Sequence, residues 1–170
     1  MTRSAVPWPL RSVVAGATGT GAMTLAYALE RRLRPNHDGP LDYDDSLVPG
    51  KIVASLMRLS NVTAREESRL GLMLRWGYGS VFGLLHGVLR RRMAEPWAST
   101  IFGGALMTAT LSLFPLLGRT PPPSRWPSDV MATCVMTHLA YVVAVATVDD
   151  QPRQLQAESA LTDNAGTRDR

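Results

Sequence analysis

The chain has 170 residues, of which 45% are hydrophobic and 19% are charged, and its formal net charge is +4. This length fits one compact domain, and the single cysteine, Cys134, excludes an intrachain disulfide and a cysteine-rich metal site. The basic residues flank apolar runs and are not interleaved with aromatics on a polar surface, so we expect no nucleic-acid partner. All of the basic residues except Lys51 are arginine, which is typical of a GC-rich bacterial genome.

Four apolar runs dominate the sequence, at residues 12–29, 70–89, 98–117 and 130–148. A helix of roughly 20 apolar residues crosses a bilayer core, and Arg75 is the one Asp, Glu, Lys or Arg inside these runs. We therefore predict an all-α, polytopic membrane protein with four transmembrane helices in the lipid bilayer and both termini on one side. Arg75 is expected to snorkel toward the headgroups. Basic residues flank both sides about equally, which leaves the orientation open.

The four tryptophans support this layout, since each lies near the start of one run. Indole rings prefer the boundary between headgroups and acyl chains. The tryptophans are Trp8, Trp76, Trp97 and Trp126.

The remaining segments are polar. Residues 1–11 form a polar lead, and residues 46–60 have apolar side chains at helical spacing, which predicts a short amphipathic helix in the membrane interface. The loop from Asp38 to Asp45 is acidic but lacks EF-hand spacing, so we expect a solvated loop, with cation binding as the alternative. Residues 151–170 are polar and predicted to be disordered.

The first apolar run contains Gly16-Ala17-Thr18-Gly19, which resembles the phosphate-binding turn of dinucleotide-binding enzymes. That turn needs a strand before it and a second strand after the helix, and neither pattern is present, so no cofactor is expected. Gly16 and Thr20 instead begin a repeat of small residues every four positions, which favours close helix packing. An alternative for this run is a signal-peptidase site at Ala26-Tyr27-Ala28.

The second run carries Gly79, Gly83 and Gly87, a GxxxGxxxG pattern that allows another helix to approach backbone to backbone. We call these three residues the glycine face. The partner is expected to be a helix of the same chain, and a homo-oligomer formed through this face is the alternative.

Two histidines fall within the runs, His86 near an interface and His138 near the middle of the fourth run. Ionisable residues inside a membrane are candidates for function, so these two form the candidate polar site. For His138 we expect a neutral ring hydrogen-bonded to a neighbouring helix, with Thr108 and Tyr141 as partners, and a proton or ligand role is the alternative. The two histidines are not expected to share a metal.

Several short patterns together resemble the YagU-like inner-membrane proteins of bacteria. The first run ends at Glu30, the third ends in Phe114-Pro115-Leu116-Leu117-Gly118 before Thr120-Pro121, and the fourth carries His138. The resemblance implies a four-span plasma-membrane protein of poorly defined function and supplies no catalytic residues.

No Asp or Glu lies within the runs, which disfavours small proton-coupled exporters, and no Ser-His-Asp or HExxH arrangement suggests hydrolysis. We therefore expect a non-enzymatic structural or accessory protein of the bacterial plasma membrane. The alternative is a small transporter or channel with His138 in its pathway.

Overall fold

The computed structural model describes residues 6–33, 53, 63–118 and 121–168, and these form an all-helical fold. The helices are α1 (Trp8–Leu33), α2 (Ala64–Arg92), α3 (Trp97–Gly118) and α4 (Ser128–Arg168), with a short 3-10 turn at Pro123–Arg125 before α4. The described residues contain no strand. The all-α prediction is therefore confirmed, and each of the four apolar runs lies inside one helix.

Local sequence signals fix several helix ends. Thr63 and Glu66 form a capping box at the start of α2: the Glu66 amide donates to the Thr63 hydroxyl at 3.4 Å, and the Thr63 amide donates to the Glu66 carboxylate at 2.9 Å. At the start of α3, the Ser99 amide donates to the Glu95 carboxylate at 3.2 Å. Before α4, the Trp126 indole donates to the Pro121 carbonyl at 2.8 Å.

The structure describes the C-terminal polar segment up to residue 168. Residues 151–168 continue α4 as helix, where the sequence predicted a disordered tail. Gln, Ala, Leu and Glu recur in this segment and have good helix propensity, so a helix already formed at residue 150 can propagate through them. The predicted interfacial helix at 46–60, except Val53, and the loop from Asp38 to Asp45 lie outside the described residues.

The helices pack as an up-and-down bundle in which α1 is central. α1 lies against both α2 and α4 along much of its length, whereas α3 lies mainly against α4 and makes fewer contacts. The start of α1, the end of α2, the start of α3 and residue 149 of α4 meet at one end of the bundle. A small buried core joins the helices and consists of Ala15, Phe102, Leu106, Tyr141, Val142 and Val145.

The glycine face of α2 is covered by α1 of the same chain. A β-carbon built on Gly16 would lie 2.6 Å from the Gly79 carbonyl oxygen and 2.9 Å from the Gly83 nitrogen. One built on Gly83 would lie 2.8 Å from the Gly16 Cα, and the Thr20 side chain blocks the same position on Gly79. The two backbones therefore touch, which is the intramolecular arrangement expected from the sequence. With α1 in place, this face is not open to a second copy of the chain.

Candidate functional site

His138 connects α4 to α3 near the middle of the bundle. Its Nε2 lies 2.9 Å from Thr110 Oγ1, and its Nδ1 lies 2.8 Å from the carbonyl oxygen of Cys134, one turn earlier on α4. Because a carbonyl oxygen can only accept, Nδ1 carries a hydrogen, and Nε2 of a neutral ring then accepts from the Thr110 hydroxyl. Both ring nitrogens are thus satisfied inside the protein.

The partner that the sequence suggested for His138 on α3 is wrong by two positions. Thr108 is exposed on the surface of α3, and its carbonyl accepts from Ser112. Thr110 is 4% exposed and faces α4. Residues two apart on a helix point about 200° apart, so a choice between Thr108 and Thr110 depends on the rotation of α3 within the bundle. The sequence pattern of α3, apolar all around, does not specify that rotation.

Tyr141, the other predicted partner of His138, is buried and bonds elsewhere. Its hydroxyl donates to the carbonyl oxygen of Gly79 on α2 at 2.5 Å. Its ring fits beside Gly19 of α1, where a β-carbon would lie 2.8 Å from a ring atom. Tyr141 therefore joins α4 to α1 and α2, and glycines on both of those helices make the space for it.

A cavity of about 270 Å³ lies beside His138, between the four helices. Its lining is mostly apolar and includes Phe82 and Leu106, and its polar wall includes Thr110, His138 and Tyr141. Arg75 of α2 also lines it. Arg75 is 7% exposed, and its guanidinium lies 5.0 Å from the centre of the Tyr27 ring. The sequence predicted that Arg75 snorkels to the headgroups, whereas in the structure it turns into the bundle.

His86, the second predicted histidine, lies at one end of the bundle and is fully buried. Its Nε2 is 3.3 Å from Glu95 Oε1 and 3.2 Å from the Ser99 hydroxyl, and its Nδ1 is 3.5 Å from Asp149 Oδ2. Its ring meets Phe102 edge to face, with the centroids 5.2 Å apart. His86 and His138 share none of these neighbours, as expected of two histidines at different depths.

Two arginines complete this group. Arg11 of α1 donates its Nε hydrogen to Asp149 Oδ1 at 3.0 Å. Arg90 of α2 bonds Asp150, and its Nε lies 3.3 Å from Glu95 Oε1. We call the set of Arg11, His86, Arg90, Glu95, Asp149 and Asp150 the charged cluster. It draws on α1, α2 and α4 and on the connection between α2 and α3.

The charged cluster contains two arginines against three carboxylates, with His86 between two of the carboxylates. Asp149 has a side chain that is 1% exposed, so its charge is compensated by Arg11 and not by water. Such a group can hold together the start of α1, the end of α2, the connection from α2 to α3 and the part of α4 around residue 149. Among the residues that the structure describes, no set of three or more His, Cys, Asp or Glu side chains is arranged to hold a metal ion.

The sequence reasoning identified His86 but missed the rest of the charged cluster. The expectation that the basic residues flank the spans at the headgroups does not hold for Arg11 and Arg90, which bond Asp149 and Asp150. A usable signal was present, because an even number of spans places residues 11, 90 and 149 at the same end. Counting the acidic residues as well as the basic ones at that end shows that opposite charges gather there, although the count does not say which of them pair.

The comparisons with known proteins give no match: no protein-family model, no curated protein and no solved structure matches the chain. The YagU-like resemblance therefore rests on its short residue patterns and stays a prediction.

Proposed function

We propose that the chain is a multi-pass protein of the bacterial plasma membrane that crosses the bilayer four times and has a structural or accessory role without enzymatic activity. The observation that carries this proposal is the outward-facing apolar surface of the helices. Two helices, at Trp97–Leu117 and Ser128–Asp150, are long and apolar enough to cross a membrane. Only 18% and 28% of their apolar windows are buried, whereas the core helix of a soluble protein is mostly buried.

The outer surfaces of α1 and α2 support the extension from two spans to four. Leu25 is 72% exposed on α1, and Met73 and Val81 are 73% and 58% exposed on α2. In water these side chains would make large apolar patches, while in a bilayer they would contact acyl chains. α1 and α2 are less apolar than α3 and the apolar part of α4. Many of their small residues face the other helices.

Exposed hydroxyl groups on the helices are also compatible with lipid. Thr18, Thr100 and Thr147 are exposed, and each hydroxyl donates to the carbonyl oxygen four residues earlier, at 3.0, 2.9 and 2.8 Å. A hydroxyl satisfied in this way needs no water. These three exposed hydroxyls are therefore compatible with a hydrocarbon environment.

The test is extraction followed by topology mapping on the full chain. We expect the protein to stay with the membrane pellet in alkaline carbonate and to dissolve in detergent. Reporter fusions before residue 6 and after residue 168 should report the same side, and a fusion within residues 121–127 should report the opposite side. Release by carbonate, or fusions at the two ends that disagree, would contradict the four-span proposal.

The second candidate function is a small transporter or channel, and the cavity beside His138 is the observation that favours it. A proton-flux assay separates the two candidates. The purified chain is reconstituted in liposomes that contain a pH-sensitive dye, and the His138→Ala variant is the comparison. For an accessory protein, both should leak protons no faster than protein-free liposomes. Flux that requires His138 would favour the transporter.

A further inference from the structure

The cavity between the helices combines an apolar lining with one buried cation, Arg75. The guanidinium stacks on Tyr27, and among the residues that the structure describes no carboxylate forms an ion pair with it. A cation over an aromatic ring recovers only part of the free energy lost when an arginine leaves water. At 7% exposure, Arg75 is therefore a buried charge whose counter-charge is not supplied by the described part of the chain.

The position of Arg75 along α2 gives the cavity a direction. The next residue, Trp76, is 42% exposed, and both residues lie in the first half of the apolar run 70–89, on the side where α2 enters the proposed membrane placement. Phe82 lies seven residues further along α2, about 10 Å deeper at 1.5 Å per residue. The charged end of the cavity thus points toward the interface at the start of α2, and its apolar part, which includes Phe82 and Leu106, lies across the middle of the bilayer.

The polar wall near the centre does not offer a second ionic site. Thr110 and His138 bond each other, and the Tyr141 hydroxyl is used by the Gly79 carbonyl. Within the described residues, a ligand would therefore meet one cation without an ion-pair partner at one end of the cavity and mainly carbon along the rest. A volume of about 270 Å³ lies just below the usual range for small-ligand sites, which fits one narrow chain and not a bulky ligand.

We propose that this cavity binds a single anionic amphiphile, with the carboxylate or phosphate of its head on Arg75 and its acyl chain between α2, α3 and α4. The guanidinium matches the geometry of both anions, which it can bind through two parallel hydrogen bonds. The bilayer supplies such molecules as free fatty acids and as anionic phospholipids. The proposal rests on the membrane placement proposed above, because that placement brings the cavity within reach of acyl chains.

Native mass spectrometry of the full chain in dodecylmaltoside micelles tests the proposal. The probes are dodecanoate, its neutral isostere dodecanol, phosphatidylglycerol and zwitterionic phosphatidylcholine. We expect one bound anionic molecule per chain and binding of dodecanol about tenfold weaker than that of dodecanoate. Retention of dodecanoate but not phosphatidylglycerol would identify a fatty-acid site, and the reverse would identify a phospholipid site; either supports the shared chemistry. Equal retention of dodecanol and dodecanoate, or retention of neither anion, would overturn it.

Variants distinguish the contribution of the Arg75 charge to binding from the contribution of the cavity's shape. Arg75→Gln should lose about tenfold in affinity for the anionic probe, and Arg75→Lys should retain part of it. Arg69→Gln, on the exposed surface of the same helix, is the matched control and should bind like the unchanged chain. Ala109→Phe adds a ring to the cavity wall without changing charge and should also reduce binding, which keeps the test available if Arg75→Gln does not fold. Unchanged binding in Arg75→Gln or in Ala109→Phe would contradict the site.

Failure of the binding-site proposal can be distinguished from failure of the membrane proposal. A chain that resists carbonate extraction but retains no anionic probe would leave the membrane proposal standing and remove the binding site. A chain released by carbonate would instead contradict the membrane placement on which the binding site depends.

Discussion

Arg11 and Asp149 lie 138 positions apart in the sequence, and the Arg11 Nε donates to Asp149 Oδ1 at 3.0 Å. The bond joins the start of α1 to α4 at the end of the bundle where the chain also turns from α2 into α3. Asp149 is fully buried there, with His86 on its other side. The charged cluster therefore closes one end of the bundle through groups from distant parts of the chain.

Replacing Asp149 by Asn should destabilise the fold by about 1–3 kcal/mol, because it removes the charge that compensates Arg11 and leaves that cation near the edge of the bilayer. Thermal unfolding of the purified chain in detergent measures the change. A double-mutant cycle with Arg11→Gln should show that the two changes are not additive. The control is Arg92→Gln, an exposed arginine at the same end of α2, which should have little effect. Additive effects of the Asp149 and Arg11 changes on the free energy of unfolding would argue against an energetically coupled pair.

The contact between the glycine face and α1 predicts a sharp difference between two glycines of the same helix. Gly83→Ala places a methyl group against the Ser12 carbonyl and the Gly16 backbone, so the helices must separate, at a cost of about 1–3 kcal/mol. Gly77→Ala meets nothing within 4 Å and should be neutral or stabilising, since alanine favours helix by up to about 1 kcal/mol. The measurement is unfolding temperature and folded yield in detergent. Similar losses in the two variants would show that α1 does not cover the glycine face.

The positions of the helices and the packing of the glycine face could be predicted from the sequence. Apolar runs of about 20 residues and a four-residue glycine repeat are local patterns, and α1, α2, α3 and the start of α4 follow them closely. The rotation of each helix about its axis is not a local property where a helix is apolar all around. That is why Thr110 and not Thr108 meets His138. Arg75 is a different case, because it lies four residues before Gly79 and so on the same side of α2 as the glycine face, which packs on α1.

The charged cluster was harder to predict for a different reason. Arginines and aspartates at the ends of spans can pair with headgroups and water as well as with each other. Their position in the sequence does not distinguish these two kinds of pairing. The deciding factor is which helix ends lie together, and this depends on the connection order and on the central position of α1. The bonds of Arg11 and Arg90 to the α4 carboxylates are thus consequences of the tertiary fold.

The capping box at the start of α2 predicts a weak pH dependence outside the membrane-spanning segments. Hydrogen bonds from the Thr63 amide and hydroxyl lower the pKa of the exposed Glu66 carboxyl below its ordinary value. A lowered folded-state pKa means that the stabilising contribution is present above the unfolded pKa and is lost as the pH falls through the folded pKa. Backbone amide exchange over residues 63–68 should therefore speed up relative to the rest of α2 under acidic conditions. In the Glu66→Gln variant this acid-dependent change should disappear, and its persistence would assign it to another group.

The bond between His138 and Thr110 predicts that two threonines of α3 differ in importance. Thr110→Val keeps the shape of the side chain but removes the hydroxyl, leaving His138 Nε2 without its donor, and should cost about 0.6 kcal/mol, with an upper range near 1.7. Thr108→Val, on the exposed surface of the same helix, should be neutral. Nitrogen NMR of the histidine ring provides a direct measurement: the Nε2 resonance should shift in Thr110→Val alone. A shift in Thr108→Val instead would restore the partner suggested by the sequence.

His138 itself supports the last prediction, which tests how dry the centre of the bundle is. Its Nδ1 lies 2.8 Å from the Cys134 carbonyl oxygen and its Nε2 lies 2.9 Å from the Thr110 hydroxyl. His138→Leu should lose the bond to α3 but fit the apolar surroundings, with a modest effect. His138→Lys places a charge near the middle of the proposed span, where lysine costs roughly 2.5–3.5 kcal/mol, and should be poorly tolerated. Membrane abundance and unfolding temperature of the two variants decide the matter. If Lys is accepted as well as Leu, the cavity beside residue 138 holds water, and the depth assigned to His138 in the membrane is wrong.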